Sequence, residues 1–222
     1  MNRGVIVLEK VGEKFSVELI DKARDRTWEL VYAIAEKVRP GHTEKDIEEL
    51  AKPLFVEFGV EKKWHPSKFR IGVNTLKAFR EVSEPNVALG ENDIYFIDIG
   101  PVFFDHEGDC GKTFAVGSDI EHAALIQASE DIFVEVRDYW KETGKTGGEL
   151  YEFAKQMAEK RGYILSLNGA SGHRIGDFPH AIYHKGVLRD FDEKPTPQRW
   201  ILEIQIRHPQ KQIGAFFEDI LR

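Results

Sequence analysis

The sequence has a single cysteine, Cys110, so an intramolecular disulfide is excluded and a reducing compartment is the natural reading. It has no run approaching the ~20 consecutive apolar residues of a membrane-spanning helix, and its start, MNRGVIVLEK, lacks the apolar stretch of a secretory signal. It also has no excess of basic charge: 38 acidic residues stand against 31 Lys and Arg, a formal charge of −7, which argues against a nucleic-acid groove or a basic membrane-binding face. These absences lead to the expectation of a cytoplasmic protein that binds neither nucleic acid nor membrane. With 222 residues, 41% of them hydrophobic, the chain can bury one substantial core, and a single domain over residues 1–222 is expected.

What the sequence does contain is acid in unusual places. Asp98 in IYFIDIG, Glu203 in WILEIQI and Glu218 in GAFFEDIL each interrupt an apolar, β-branched or aromatic run that reads as a buried strand. An unpaired ionised group there costs several kcal/mol or more, so it shifts its pKa, finds a partner or binds a metal. Taken singly, each could cap a turn or lie on the solvated face of a strand. With Asp109 in DHEGDC and His173 in SGHRIG, four carboxylates and one imidazole are better explained by a shared cation site.

The chain also has a weak internal repeat. Thr43 opens a helix with TEKD and Gly59 closes it; Thr146 opens another with TGGE, closed at the same distance by Gly162. Each is preceded by a longer amphipathic helix, over about 17–38 and about 120–143, and FRIG at 69–72 answers HRIG at 173–176. The preserved order predicts two related halves, each helix, helix, strand and then a hairpin carrying acidic residues. If the halves pack about a pseudo-twofold axis, the four carboxylates converge on it. Around one divalent ion they would be overcharged, whereas two ions roughly 3.5 to 4 Å apart balance the charge and share a water. Oxygen-dominated ligation with one imidazole suits manganese, iron, cobalt or zinc and does not choose among them.

The order Asp, Asp, His, Glu, Glu, with the two aspartates eleven residues apart in DIGPVFFDHEGD, resembles the pita-bread superfamily of methionine aminopeptidase, Xaa-Pro aminopeptidase, prolidase and creatinase. VRPGHTEKDI is similar to that family's helix entry, GDCGKTFAVG to its second-aspartate strand, and GHRIGDFPH to its histidine turn, with a second histidine seven residues on. The resemblance implies an α+β fold, a curved antiparallel sheet covered by helices. It makes Asp98, Asp109, His173, Glu203 and Glu218 ligands of two divalent ions. It gives Glu203 the proton shuttle and His180 a contact to the substrate carbonyl, in a hydrolase that cleaves a peptide N-terminal or Xaa-Pro bond with a bridging hydroxide.

The departures are equally specific. Where the family's peptidases carry a histidine upstream of the first aspartate, this chain reads AFRE at 78–81; Glu203 is followed by Ile204 and not by proline, and His180 by Ala181 and not by an acid. No additional N-terminal domain is expected, in contrast to prolidase. A hydrolase of a small non-peptide amide or amino-acid derivative therefore stays open, as does a catalytically weak, metal-containing binding module. The expected partner is a small peptide or amino-acid-derived substrate, and a homodimer is compatible with the sequence. His65, in KKWHPSKF, could replace the missing histidine, although a surface position is the commoner fate of such a residue. Cys110 lies on the strand face opposite Asp109 and reads as packing, while Trp64 and Arg80 need no more than a solvated face.

Overall fold

The computed structural model describes residues 9–168, 170–180 and 186–222; residues 1–8 and Ala181 lie outside them. Helix α1 (Val17–Ala35) starts at Ser16, whose side chain accepts from the Leu19 amide. It ends short of Val38, because Lys37 and Val38 bond to Ile34 and Ala35 three residues back, tightening the last turn ahead of Arg39–Pro40. Helix α2 (Glu44–Glu57) opens on a reciprocal capping box between Thr43 and Asp46. Helix α3 (Ile120–Thr143) begins at Asp119 and stops at Gly144, and α4 (Gly147–Lys160) opens on a second capping box, Thr146 with Glu149. Both expected boxes are therefore formed.

The strands in chain order are β1 (Lys62–Lys63), β2 (Lys68–Ile71), β3 (Asp93–Ile99), β4 (Pro101–Phe103), β5 (His106–Glu107), β6 (Cys110–Val116), β7 (Ile164–Leu165), β8 (His173–Arg174), β9 (Trp200–Arg207) and β10 (Gly214–Ile220). The main sheet runs β2-β3-β6-β10-β9-β7, with β8 also paired to β9, and its pairings are antiparallel. The two halves meet at β6 and β10, so that β2-β3-β6 on one side answers β8-β9-β10 on the other.

Each half has its own core on the helical face of the sheet. α1 and α2 cover Ile71, Tyr95, Ile97, Ile99 and Cys110; α3 and α4 cover Leu202, Ile204, Ile206 and Ala215. Because strand side chains alternate in direction, burying these residues against helices turns Asp98, Asp109, Glu203 and Glu218 to the other face. One feature of the fold had no signal in the sequence pattern: β1, β4 and β5 form a separate three-stranded sheet beside the end of β3.

Candidate metal centre

Strand register lines up the acidic residues. Lys68 pairs with Asp98, Asp98 with Gly111, Gly111 with Glu218, and Glu218 with Glu203, forming one row across the sheet. Residues in such a row share a face and have neighbouring Cβ atoms. The row has a gap at Gly111, where a Cβ would come within 2.6 Å of Phe216 Cε1 and 2.7 Å of Glu218 Oε1. The missing side chain thus leaves space for the Glu218 carboxylate. Asp109 enters from two residues earlier on the Gly111 strand, and His173 from β8, opposite Ile201 and two residues from Glu203. The five residues expected to act together are brought together.

Their mutual contacts suit cations. His173 Nε2 lies 3.0 Å from Asp109 Oδ2, with its Nδ1 2.9 Å from the Arg174 carbonyl. Glu203 Oε2 accepts backbone N–H bonds from Ser171 at 2.8 Å and Gly172 at 2.6 Å. Glu218 Oε1 is buried and has no hydrogen-bond partner among the described residues. Burial, then repulsion by Asp109, Asp98 and Glu203, pushes the Glu218 carboxyl well above its ordinary range. Burial likewise lifts Asp98 to about 7, His65 opposing and Asp109 and Glu203 adding to the shift. Glu203 is raised by burial against the pull of His173 and the Gly172 amide. Asp109 alone moves down, to about 2, because His65 and His173 outweigh its burial. Without cations the cluster holds protons in their place, and an orphaned buried carboxylate oxygen among oxygen and imidazole donors fits divalent ions. Two triplets have ligand atoms within 4.8 Å of one another: His65, Asp98 and Asp109, and Asp109, His173 and Glu218.

The cluster forms the floor of a cavity of about 570 Å³ whose walls include Trp64, Phe79, Arg80, Leu167, Val187 and Arg189. Trp64 is thus no solvated surface residue. Its ring packs against His65, His173 and His180 at centroid distances of 4.5, 5.3 and 5.5 Å, and its Nε1 donates to the Gly108 carbonyl at 2.9 Å. His65 departs from the surface position expected of it: its side chain is 11% exposed, with Nε2 3.2 Å from Asp109 Oδ1. No periodic pattern places a histidine in KKWHPSKF, and the tertiary approach to Gly100 and Asp109 brings it to the cluster.

His180 is buried behind Trp64 and is absent from the cavity walls among the described residues. Its backbone N–H donates to Glu107 Oε1 at 3.1 Å, and its Nδ1 bonds to Glu107 Oε2. Glu107, at the end of β5 in the small sheet, escaped the sequence reading. Cys110 packs under α1 with its sulfur toward the Arg24 carbonyl, and burial first raises its thiol pKa well above the ordinary value. No helix among the described residues is long and apolar enough to cross a membrane.

Comparison with known proteins covers nearly the whole chain. Residues 18–221 match the sequence profile of metallopeptidase family M24. The chain is 25% identical over 191 residues to the Xaa-Pro dipeptidase of Pyrococcus furiosus, spanning 82% of this chain and 53% of that protein. It is 24% identical over 212 residues to the methionine aminopeptidase of Aquifex aeolicus, spanning 90% and 81%. Among solved structures, the methionine aminopeptidase of Thermotoga maritima superposes with a TM-score of 0.73 at 16% identity, over 97% of this chain and 94% of that one. The fold is the pita-bread fold. The chain spans about half the length of the Xaa-Pro dipeptidases it matches.

Proposed function

Because this chain belongs to metallopeptidase family M24, we propose that it is a hydrolase that cleaves a peptide N-terminal or Xaa-Pro bond with two divalent ions held by Asp98, Asp109, His173, Glu203 and Glu218. The observation that carries this reading is the convergence of these side chains on one sheet face, with Glu218 Oε1 buried and unpartnered at the foot of a cavity. Two divalent ions, when bound there, would supply a water ionised near neutral pH and would polarise the carbonyl under attack. The remaining steps belong to the protein. Ser171 and Gly172 fix the Glu203 carboxylate before substrate arrives, so that it can take a proton from the attacking water and return it to the departing amine. Glu107 fixes the ring of His180, which packs against Trp64 on the cavity wall and so holds that wall in place.

A specific observation narrows the substrate. Arg80 and Arg189 both stand on the cavity wall, and the 78–81 segment offers no histidine to the scissile amide. Guanidinium groups favour a free carboxylate through paired, charge-assisted hydrogen bonds. Short substrates with a free carboxylate, dipeptides or small amino-acid derivatives, are therefore preferred over long neutral peptides. The test loads chelator-stripped protein with manganese or cobalt and measures bound metal together with kcat/KM for a dipeptide and its C-terminal amide. Two equivalents of metal are expected, with the acid preferred and that preference reduced by Arg80→Ala. Less than about half an equivalent of metal sinks the dinuclear reading. Equal rates for acid and amide, or rapid removal of methionine from long peptides, sinks the substrate assignment.

A further inference from the structure

We propose that His65 is itself a ligand of this centre, so that each of the two cation positions carries one imidazole. The inference rests on the metal reading above and adds a residue from the β1–β2 connection to the five named there. Its first support is distance. His65 Nε2 lies 3.2 Å from Asp109 Oδ1 and 3.7 Å from Asp98 Oδ1, while His173 Nε2 lies 3.0 Å from Asp109 Oδ2. Donors held about 2.1 Å from a common ion lie about 3.0 to 3.4 Å apart in octahedral or tetrahedral arrangements, a range that both Asp109 distances meet and the 3.7 Å to Asp98 exceeds. The two imidazoles thus address opposite oxygens of the Asp109 carboxylate, so that each ring, with its own oxygen, could help to hold a separate cation.

The second support is orientation. His65 Nδ1 is 2.9 Å from the Pro66 carbonyl and His173 Nδ1 is 2.9 Å from the Arg174 carbonyl, so both rings donate Nδ1–H to the next residue and turn Nε2 to the carboxylates. An outer carbonyl that fixes tautomer and direction in this way is the usual companion of a metal-bound histidine.

The third support is the niche. A Cβ on Gly100 would come within 2.1 Å of His65 Cδ2 and 2.2 Å of its Nε2, so the imidazole occupies space that only glycine leaves. Trp64 packs edge-on against the ring at 4.5 Å and Phe79 at 5.5 Å, and Pro66 restricts the His65 backbone. His65 also lines the cavity, and its packing fixes where the ring can point. This ring is confined, with its free nitrogen directed at two carboxylates.

The deciding experiment is proton NMR of the cobalt-loaded protein, in which the ring N–H of each cobalt-bound histidine gives a strongly shifted, solvent-exchangeable resonance. Two such resonances are expected, one lost in His65→Ala and the other in His173→Ala, and calorimetry should show one cobalt site weakened at least about tenfold in His65→Ala. The wild-type count stands even if a variant fails to fold, and circular dichroism of the metal-free variants separates the two effects. Two bound cobalt ions with a single shifted resonance, or two resonances surviving in folded His65→Ala, overturns the role of His65 and leaves the hydrolase reading intact. Wild-type protein that binds no cobalt overturns both.

Discussion

Glu107 is 1% exposed, and both its oxygens are committed to His180, one to the backbone N–H and one to the ring. A carboxylate whose partner among the described residues is one histidine acts through the residue it holds. Glu107→Gln keeps the shape but weakens the grip on the ring. It is expected to lower kcat/KM about 10- to 100-fold, the range typical of outer partners that orient active groups, while leaving metal content unchanged. His180→Ala should lose at least as much, and the double variant no more than His180→Ala alone, because both act through one ring. Steady-state kinetics on the four proteins checks this; losses that multiply in the double variant would show that Glu107 works independently. At this scale the sequence was readable where charge broke an apolar strand, as at Asp98, Glu203 and Glu218. It named His65 only as a possible stand-in for a missing histidine, because its neighbours in the chain say nothing of the gap at Gly100, and it passed over Glu107.

Among the elements, the repeat legible in the sequence has a physical basis in two capping boxes, Thr43 with Asp46 and Thr146 with Glu149, that fix where α2 and α4 begin. From those starts the apolar stripes face the sheet, and the strands that follow are delivered in register to place the acidic row. Helix periods and caps are local, so they survive reading without a structure. The two-residue strands β1 and β5 are too short to show a period, and β1 exists only through distant pairing, Lys62 with Val102 and Lys63 with Pro101. Each cap should therefore have a measurable, separate worth. Thr43→Ala and Thr146→Ala are expected to cost about 1 kcal/mol each in urea unfolding, and about the sum when combined, because the two sites lie in different halves with no shared partner. A single cooperative transition in all three variants is also expected. A variant that unfolds in two steps would show that the halves melt separately, and a cost near zero at either threonine would mean that the cap is not formed in solution.

Across the whole molecule, the centre makes folding depend on pH in a direction that metal should reverse. Ion-free, the folded chain retains protons that its unfolded form releases. His65 is raised to about 9 and His173 to about 10, their burial opposing the charge and Asp109 prevailing, while burial lifts Asp98 to about 7. In the unfolded chain the histidines titrate near 6.5 and the aspartate near 4, all values approximate. A raised folded pKa contributes stability that is complete below the unfolded value and lost as pH climbs through the folded one. Between about pH 6.5 and 9 the native state therefore holds the greater number of protons, and stability falls by about 1.4 kcal/mol per pH unit for each proton retained. Asp109, lowered to about 2, runs the other way, but its contribution is lost only on acidification below about 4, outside that window. Cations that occupy the proton positions bind more tightly as pH rises and stabilise only the folded chain. The urea midpoint of metal-free protein is thus expected to drop steadily from pH 6.5 to 9, while that of manganese-loaded protein stays level or rises, so that the two curves diverge with pH. A metal-free midpoint that is flat or rising over this window would mean that the buried carboxylates and imidazoles do not share protons as their geometry requires.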